Sequence, residues 1–175
     1  MKTLDIIVIV IVYLLFFFKK WQKKGIWIFT INTLIYIYIS AVLYFTLMPI
    51  ITSIPQIFHH SSAKMNLNLF EDLINGRGDY LRQIILNIIM TIPFGFLINF
   101  KTTKNSFLKT AGYTLLFSLT IEILQPIISS RSSDITDIFT NTIGGIIGYF
   151  LFKIANPFIN NYIKKEDLYG KHSNN

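Results

Sequence analysis

The chain has 175 residues, 52% of them hydrophobic and only 14% charged, with a mean hydropathy of +0.51, a balance that excludes an ordinary soluble domain and reads as an integral membrane protein. The formal charge of +7 lies in short lysine clusters beside apolar runs, so it points to anchoring in a membrane rather than to nucleic acid. With no cysteine, disulfides, thiolate metal sites, CxxCH haem attachment and thiol nucleophiles are also excluded.

Hydropathy and flanking charge predict an all-α bundle of five spanning helices forming one membrane domain over residues 1–175. The first, Leu4 to Phe18, is short for a span at about 1.5 Å rise per residue; Lys19, Lys20 and Trp21 extend it by snorkelling and interfacial anchoring. No small-residue cleavage site follows, and Lys19, Lys20, Lys23 and Lys24 form a stop-like cluster. An uncleaved helix is therefore expected rather than a signal peptide. The second span runs from Gly25 to Met48 and ends at Pro49. A long polar connection, Pro49 to Tyr80, carries His59-His60, Asn66-Leu-Asn-Leu-Phe70 and Gly76-Arg-Gly78.

The third span, Leu81 to Phe100, is interrupted by Asn87 and by Pro93-Phe-Gly95. Proline removes a helix hydrogen bond there, which predicts a kink or a break. A basic loop, Lys101 to Lys109, leads to the fourth span, Thr110 to Ile128, then a turn, Ser129 to Ser133, and the fifth span, Asp134 to Ile154. Residues 155–175 read as a polar, frayed tail. Placing residues 19–24, residues 101–109 and the tail on the cytoplasmic side gathers most of the lysines there, so the N-terminus is expected outside and the C-terminus inside. The outer side then holds Lys2, Lys64, Arg77, Arg82 and Arg131, together with Asp5, Glu71, Asp72, Asp79 and Asp134.

The most informative stretch is Ile121 to Gly148, where Glu122, Gln125, Arg131, Asp134, Asp137 and Asn141 interrupt membrane-grade sequence. Ionisable groups cost about 2.5 to 3.5 kcal/mol each inside a bilayer on insertion scales, so they face a protein interior and mark function. With the fourth helix running outward and the fifth inward, these residues share the outer half of the membrane, as does Asn87 at the start of the third. On the fifth helix Asp134, Asp137, Asn141, Gly144 and Gly148 fall within a stripe of about 80°. Gly144-Gly-Ile-Ile-Gly148 is a GxxxG pattern that permits close helix approach, and the expected partner of the stripe is the fourth helix.

Two readings fit the cluster. It is a structural network, with Arg131 neutralising buried carboxylates, or a substrate or ligand site. Gly144 and Gly148 read as packing residues, and Asn87 and Asn141 as interhelical hydrogen-bonding groups. His59-His60 lacks metal-ligand spacing and reads as exposed loop, so no metal site is assigned. No cofactor is identified.

Taken together, Asn87, Pro93-Phe-Gly95, Glu122-Ile-Leu-Gln125, Arg131-Ser-Ser-Asp134-Ile-Thr-Asp137, Asn141 and Gly144 resemble the VanZ-like family of small bacterial membrane proteins. The resemblance covers residues 66–150, and the Asn66 to Phe70 segment is similar to that family's Asn-Leu-Ile-Pro-Phe segment without its proline. The family is named for an accessory determinant of resistance to teicoplanin-type glycopeptides. The resemblance implies a membrane location, a fold and a shared polar site.

Two classes of function follow. One is an accessory protein that recognises a cell-envelope amphiphile, a cell-wall precursor or a glycopeptide at the outer membrane surface, with membrane lipids as its surroundings. The other is an intramembrane enzyme acting on a lipid-linked phosphate or glycan. In that reading Asp134 and Asp137 hold a divalent cation, Arg131 forks onto phosphate, and Glu122 serves as acid or base. Five spans without repeat symmetry give a transporter little support.

Overall fold

The computed structural model describes residues 2–51, 65–76, 78–101, 107–128 and 132–172. Helix α1 (Lys2–Val12) widens into a π-helical segment (Tyr13–Phe18) and re-tightens as α2 (Lys19–Gln22). The first predicted span is thus helical but not one regular α-helix. Gly25, at φ 92°, turns the chain in a region that disfavours any side chain, and α3 (Ile26–Thr46) runs back. A two-residue strand β1 (Met65–Asn66) and a single turn α4 (Glu71–Ile74) form a strap before α5 (Tyr80–Ile98) and α6 (Phe107–Ile128). Strand β2 (Ser133–Asp134) then opens directly into α7 (Ile135–His172).

The architecture is all-α, as expected. Helices α3, α5 and α6 and the Ile135–Asn161 part of α7 are long and apolar enough to cross a membrane. Of the kink or break expected at Pro93, the break does not occur: helix α5 runs unbroken through it, since a proline inside a helix costs one hydrogen bond without ending the helix when neighbours pack around it. The expected frayed tail is also absent from the described residues. Helix α7 continues through the stretch read as a frayed tail as far as His172, with Pro157 inside it.

The core is a three-helix sandwich in which α7 packs most extensively on α5 and next on α6. Glycine allows this. A β-carbon on Gly144 would collide with the Ile88 carbonyl and the Thr91 hydroxyl, and one on Gly148 would collide with the Ile92 carbonyl. The glycine stripe therefore faces α5 and not α6, a correction to the expected partner. Gly145, turned about 100° from Gly144, is the residue that meets α6, against Thr114. Gly95 completes the seam from the α5 side, against the Gly145 backbone.

Helix α3 and the α1–α2 stretch form a peripheral pair. The Tyr36 hydroxyl donates to the Ile9 carbonyl at 2.7 Å, and the Tyr13 and Thr33 hydroxyls lie 2.8 Å apart. Trp21 stacks on Phe17 at 4.8 Å. The pair is tied to the core chiefly at Tyr38, whose hydroxyl donates to the Met90 carbonyl at 2.8 Å, in the turn before Pro93. Beside it Phe94 and Phe117 stack at 4.4 Å. Tyr38→Phe is expected to lower stability by about 0.5 to 1.5 kcal/mol, the net value of one such hydrogen bond. Unfolding in detergent, compared with wild type, reads that loss.

Two predicted basic clusters meet at one end of the bundle. Lys101 donates its ammonium to Asn32, and burial, followed by repulsion from Lys24, pulls the Lys101 ammonium below the usual lysine value. At the opposite end buried Asp5 accepts the Ile51 N–H at 3.0 Å.

Candidate functional site

Of the polar residues singled out from the sequence, Glu122, Gln125, Asp134, Asp137 and Asn141 gather towards the end of the bundle where β1, β2 and the start of α7 meet. Met65 and Asn66 pair in parallel with Ser133 and Asp134, a clasp between two segments that carry no regular strand pattern. Asp134 caps α7 through Oδ1, which accepts the Thr136 N–H at 2.7 Å, and this satisfies a donor that the first helical turn would leave unpaired. Its other oxygen accepts from the Asn66 amide at 3.3 Å. The strap is held again at Phe70, which is left-handed at φ 58°, a conformation that costs about 1 to 2 kcal/mol in a non-glycine residue. Its N–H donates to the Thr136 hydroxyl at 3.0 Å, and its ring meets Phe139 edge-on at 5.9 Å.

Beneath this clasp lies Glu122. Its carboxylate accepts the Asp134 N–H at 3.0 Å, and its carbonyl accepts the Ser133 hydroxyl at 2.5 Å. Glu122, Gln125 and Asn141 are each at most 4% exposed, so they lie between helices. The Asn141 amide donates to Ser118 on α6 at 2.8 Å, while its backbone carbonyl accepts from Thr91 on α5 at 2.7 Å. Its side-chain oxygen is buried without a hydrogen-bond partner. Asp137 accepts the Asn87 amide at 2.7 Å.

The predicted cluster therefore divides. Asp134 and Asp137 line a small cleft with Phe70, Asp72, Tyr80 and Gln83. Its free volume is about 20 Å³, room for about one water. Glu122, Gln125 and Asn141 form the framework below it. Gly95, Gly144 and Gly148 belong to the helix seam, and Pro93 lines an apolar groove on the far side of α5. Arg131, His59, His60 and Arg77 lie outside the described residues. Among the described residues no three of His, Cys, Asp and Glu are grouped to hold a metal ion.

Several residues of this framework were not singled out. Thr110, Thr114 and Ser118 continue the line of Glu122 along α6 at four-residue spacing, all buried, and Thr91 on α5 and Thr140 on α7 are buried as well. The spacing is legible, but hydroxyls are common in membrane helices, where they bond back to the preceding turn, as Thr114 does to Thr110 and Thr140 to Thr136.

The VanZ/LLP1 family model matches residues 5–156. This chain belongs to the VanZ/LLP1 family. Protein VanZ of Enterococcus faecium is 33% identical over 127 residues, covering 73% of this chain and 76% of that protein. No solved structure matches the chain. The match begins near Asp5, so it takes in the first two helices as well as the polar region that carries the resemblance in the sequence.

Proposed function

We propose that this VanZ-like chain is a multi-pass cell-membrane protein, N-terminus out, that contributes to glycopeptide resistance or envelope homeostasis by binding an envelope amphiphile or glycopeptide at the Asp134–Asp137 cleft. Family membership supports the link to glycopeptides. The observation that carries the site is the half-buried placement of Asp134 and Asp137 in one cleft, above a framework that fixes both side chains. A pre-set pair of carboxylates at a membrane end offers acceptors for hydroxyl, amide or ammonium donors without the entropy cost of ordering them on binding.

The test is teicoplanin and vancomycin susceptibility of a host expressing wild type or Asp137→Asn, with membrane abundance measured for both. An abundant Asp137→Asn protein that loses a wild-type protective effect is the expected result. Full protection by the variant, or no protection by wild type, would overturn the reading.

A further inference from the structure

We infer that the apolar groove between α3 and α5 holds the hydrocarbon chain of the amphiphile whose head rests against the mouth of the Asp134–Asp137 cleft. This deepens the function proposed above and rests on it. The groove is lined by Ala41, Phe45, Leu86, Asn87, Ile89 and Met90, with a volume of about 480 Å³, inside the range of roughly 300 to 1,000 Å³ typical of ligand pockets. Tyr38, bonded to Met90, stands at one end of it. From there the groove extends along the C-terminal half of α3 and the middle of α5, from Pro93 back to Leu86, towards the end of the bundle that carries the cleft.

Asn87 joins the two spaces. Its amide nitrogen donates to Asp137, which lines the cleft, while the residue itself lines the groove. With the nitrogen committed to the carboxylate, the amide oxygen is turned away from it and accepts no hydrogen bond among the described residues. A polar acceptor at the wall of an otherwise apolar groove is unfavourable in a membrane unless something donates to it. The chemistry that fits is a long alkyl chain joined to its head through a hydroxyl or amide N–H, with further donors reaching Asp137.

Bulk lipid fills any hollow on a membrane protein, and this chain carries an internal control for that. Two other apolar hollows, of about 320 and 290 Å³, lie between α1 and α3 and are lined by residues such as Ile9 and Tyr36, with neither aspartate near them. The probe is a long-chain N-acyl glucamide with a diazirine on its alkyl chain, applied to the full-length protein in vesicles, with the methyl ester of the same acid as a donor-free comparison. Photolabel from the glucamide is expected to concentrate on Ile89 and Met90 over Ile9 and Tyr36, and Leu86→Trp is expected to remove that excess. Asn87→Leu is expected to weaken glucamide labelling about two- to tenfold, the range for one net hydrogen bond, and to leave ester labelling unchanged.

Equal labelling of the groove and the control hollows by the glucamide, or a groove excess untouched by Leu86→Trp, overturns the inference. If label is even while Asp137→Asn still abolishes protection, only the groove is lost. A groove excess with Asp137→Asn fully protective overturns the head-group placement and with it the proposed function.

Discussion

Gly95→Ala is expected to unfold this protein or strip it from the membrane, although it adds a single methyl group to an apolar span. The new carbon would overlap the backbone carbonyl of Gly145 on α7. A backbone atom in the middle of a helix cannot swing aside as a side chain does, so relief requires α5 and α7 to separate. Their interface is the most extensive in the molecule, and close packing there is a main source of cohesion where lipid surrounds the helices. Overpacking of this kind costs upward of about 3 kcal/mol when no side chain can yield. Gly112→Ala supplies the contrast, since nothing lies within 4 Å of its added carbon. It is expected to be neutral or stabilising by up to about 1 kcal/mol through helix propensity. Membrane abundance and unfolding in detergent of the two variants decide the matter. Equal behaviour would refute the close approach of α5 and α7.

Glu122→Leu is expected to be nearly as damaging, for an electrostatic reason. Glu122 is buried, and its carboxylate takes the Asp134 N–H at the start of α7. Leucine fills the volume but leaves that donor facing apolar surface, at a cost of about 1 to 3 kcal/mol. Because Asp134 also holds Asn66 and caps α7, the loss propagates to the strap. Glu122→Gln keeps an acceptor oxygen in place and is expected to retain most of the stability. The pair separates two roles: if Gln folds like wild type yet protection against teicoplanin is lost, the charge of Glu122 serves function. If Leu folds as well as Gln, the hydrogen bond to Asp134 contributes nothing.

Much of this was legible in the sequence, and the reasons differ by residue. Apolar runs bounded by lysine and proline placed α3, α5 and α6 closely, because the bilayer fixes both the length and the composition of a crossing helix. The polar positions Glu122, Asp134, Asp137 and Asn141 stood out because they are costly in lipid. Periodicity put Gly144 and Gly148 on one face correctly, but a face does not name its neighbour. Only the three-dimensional arrangement shows that α5 takes that stripe while Gly145 meets α6. The division of the cluster into a cleft and a buried framework was likewise hidden, since residues four apart share a side of a helix at every depth. The β1–β2 clasp had no local signature at all. It joins two-residue segments 68 positions apart, and their pairing comes from the helices that carry them together.

That clasp constrains how the chain enters a membrane. Asn66 and Asp134 touch, so they end on the same face, and the chain between them crosses an even number of times. Helices α5 and α6 supply two crossings, or neither of them crosses. A nascent chain with only α5 threaded would strand Asn66 on one face and Asp134 on the other. The parallel pairing, the cap on α7 and the bond to Glu122 then form together only once the α5–α6 hairpin is fully inserted. The clasp thus acts as a parity check on topology, closing in chains whose α5–α6 hairpin is fully inserted and staying open in those where only one of the two helices has crossed.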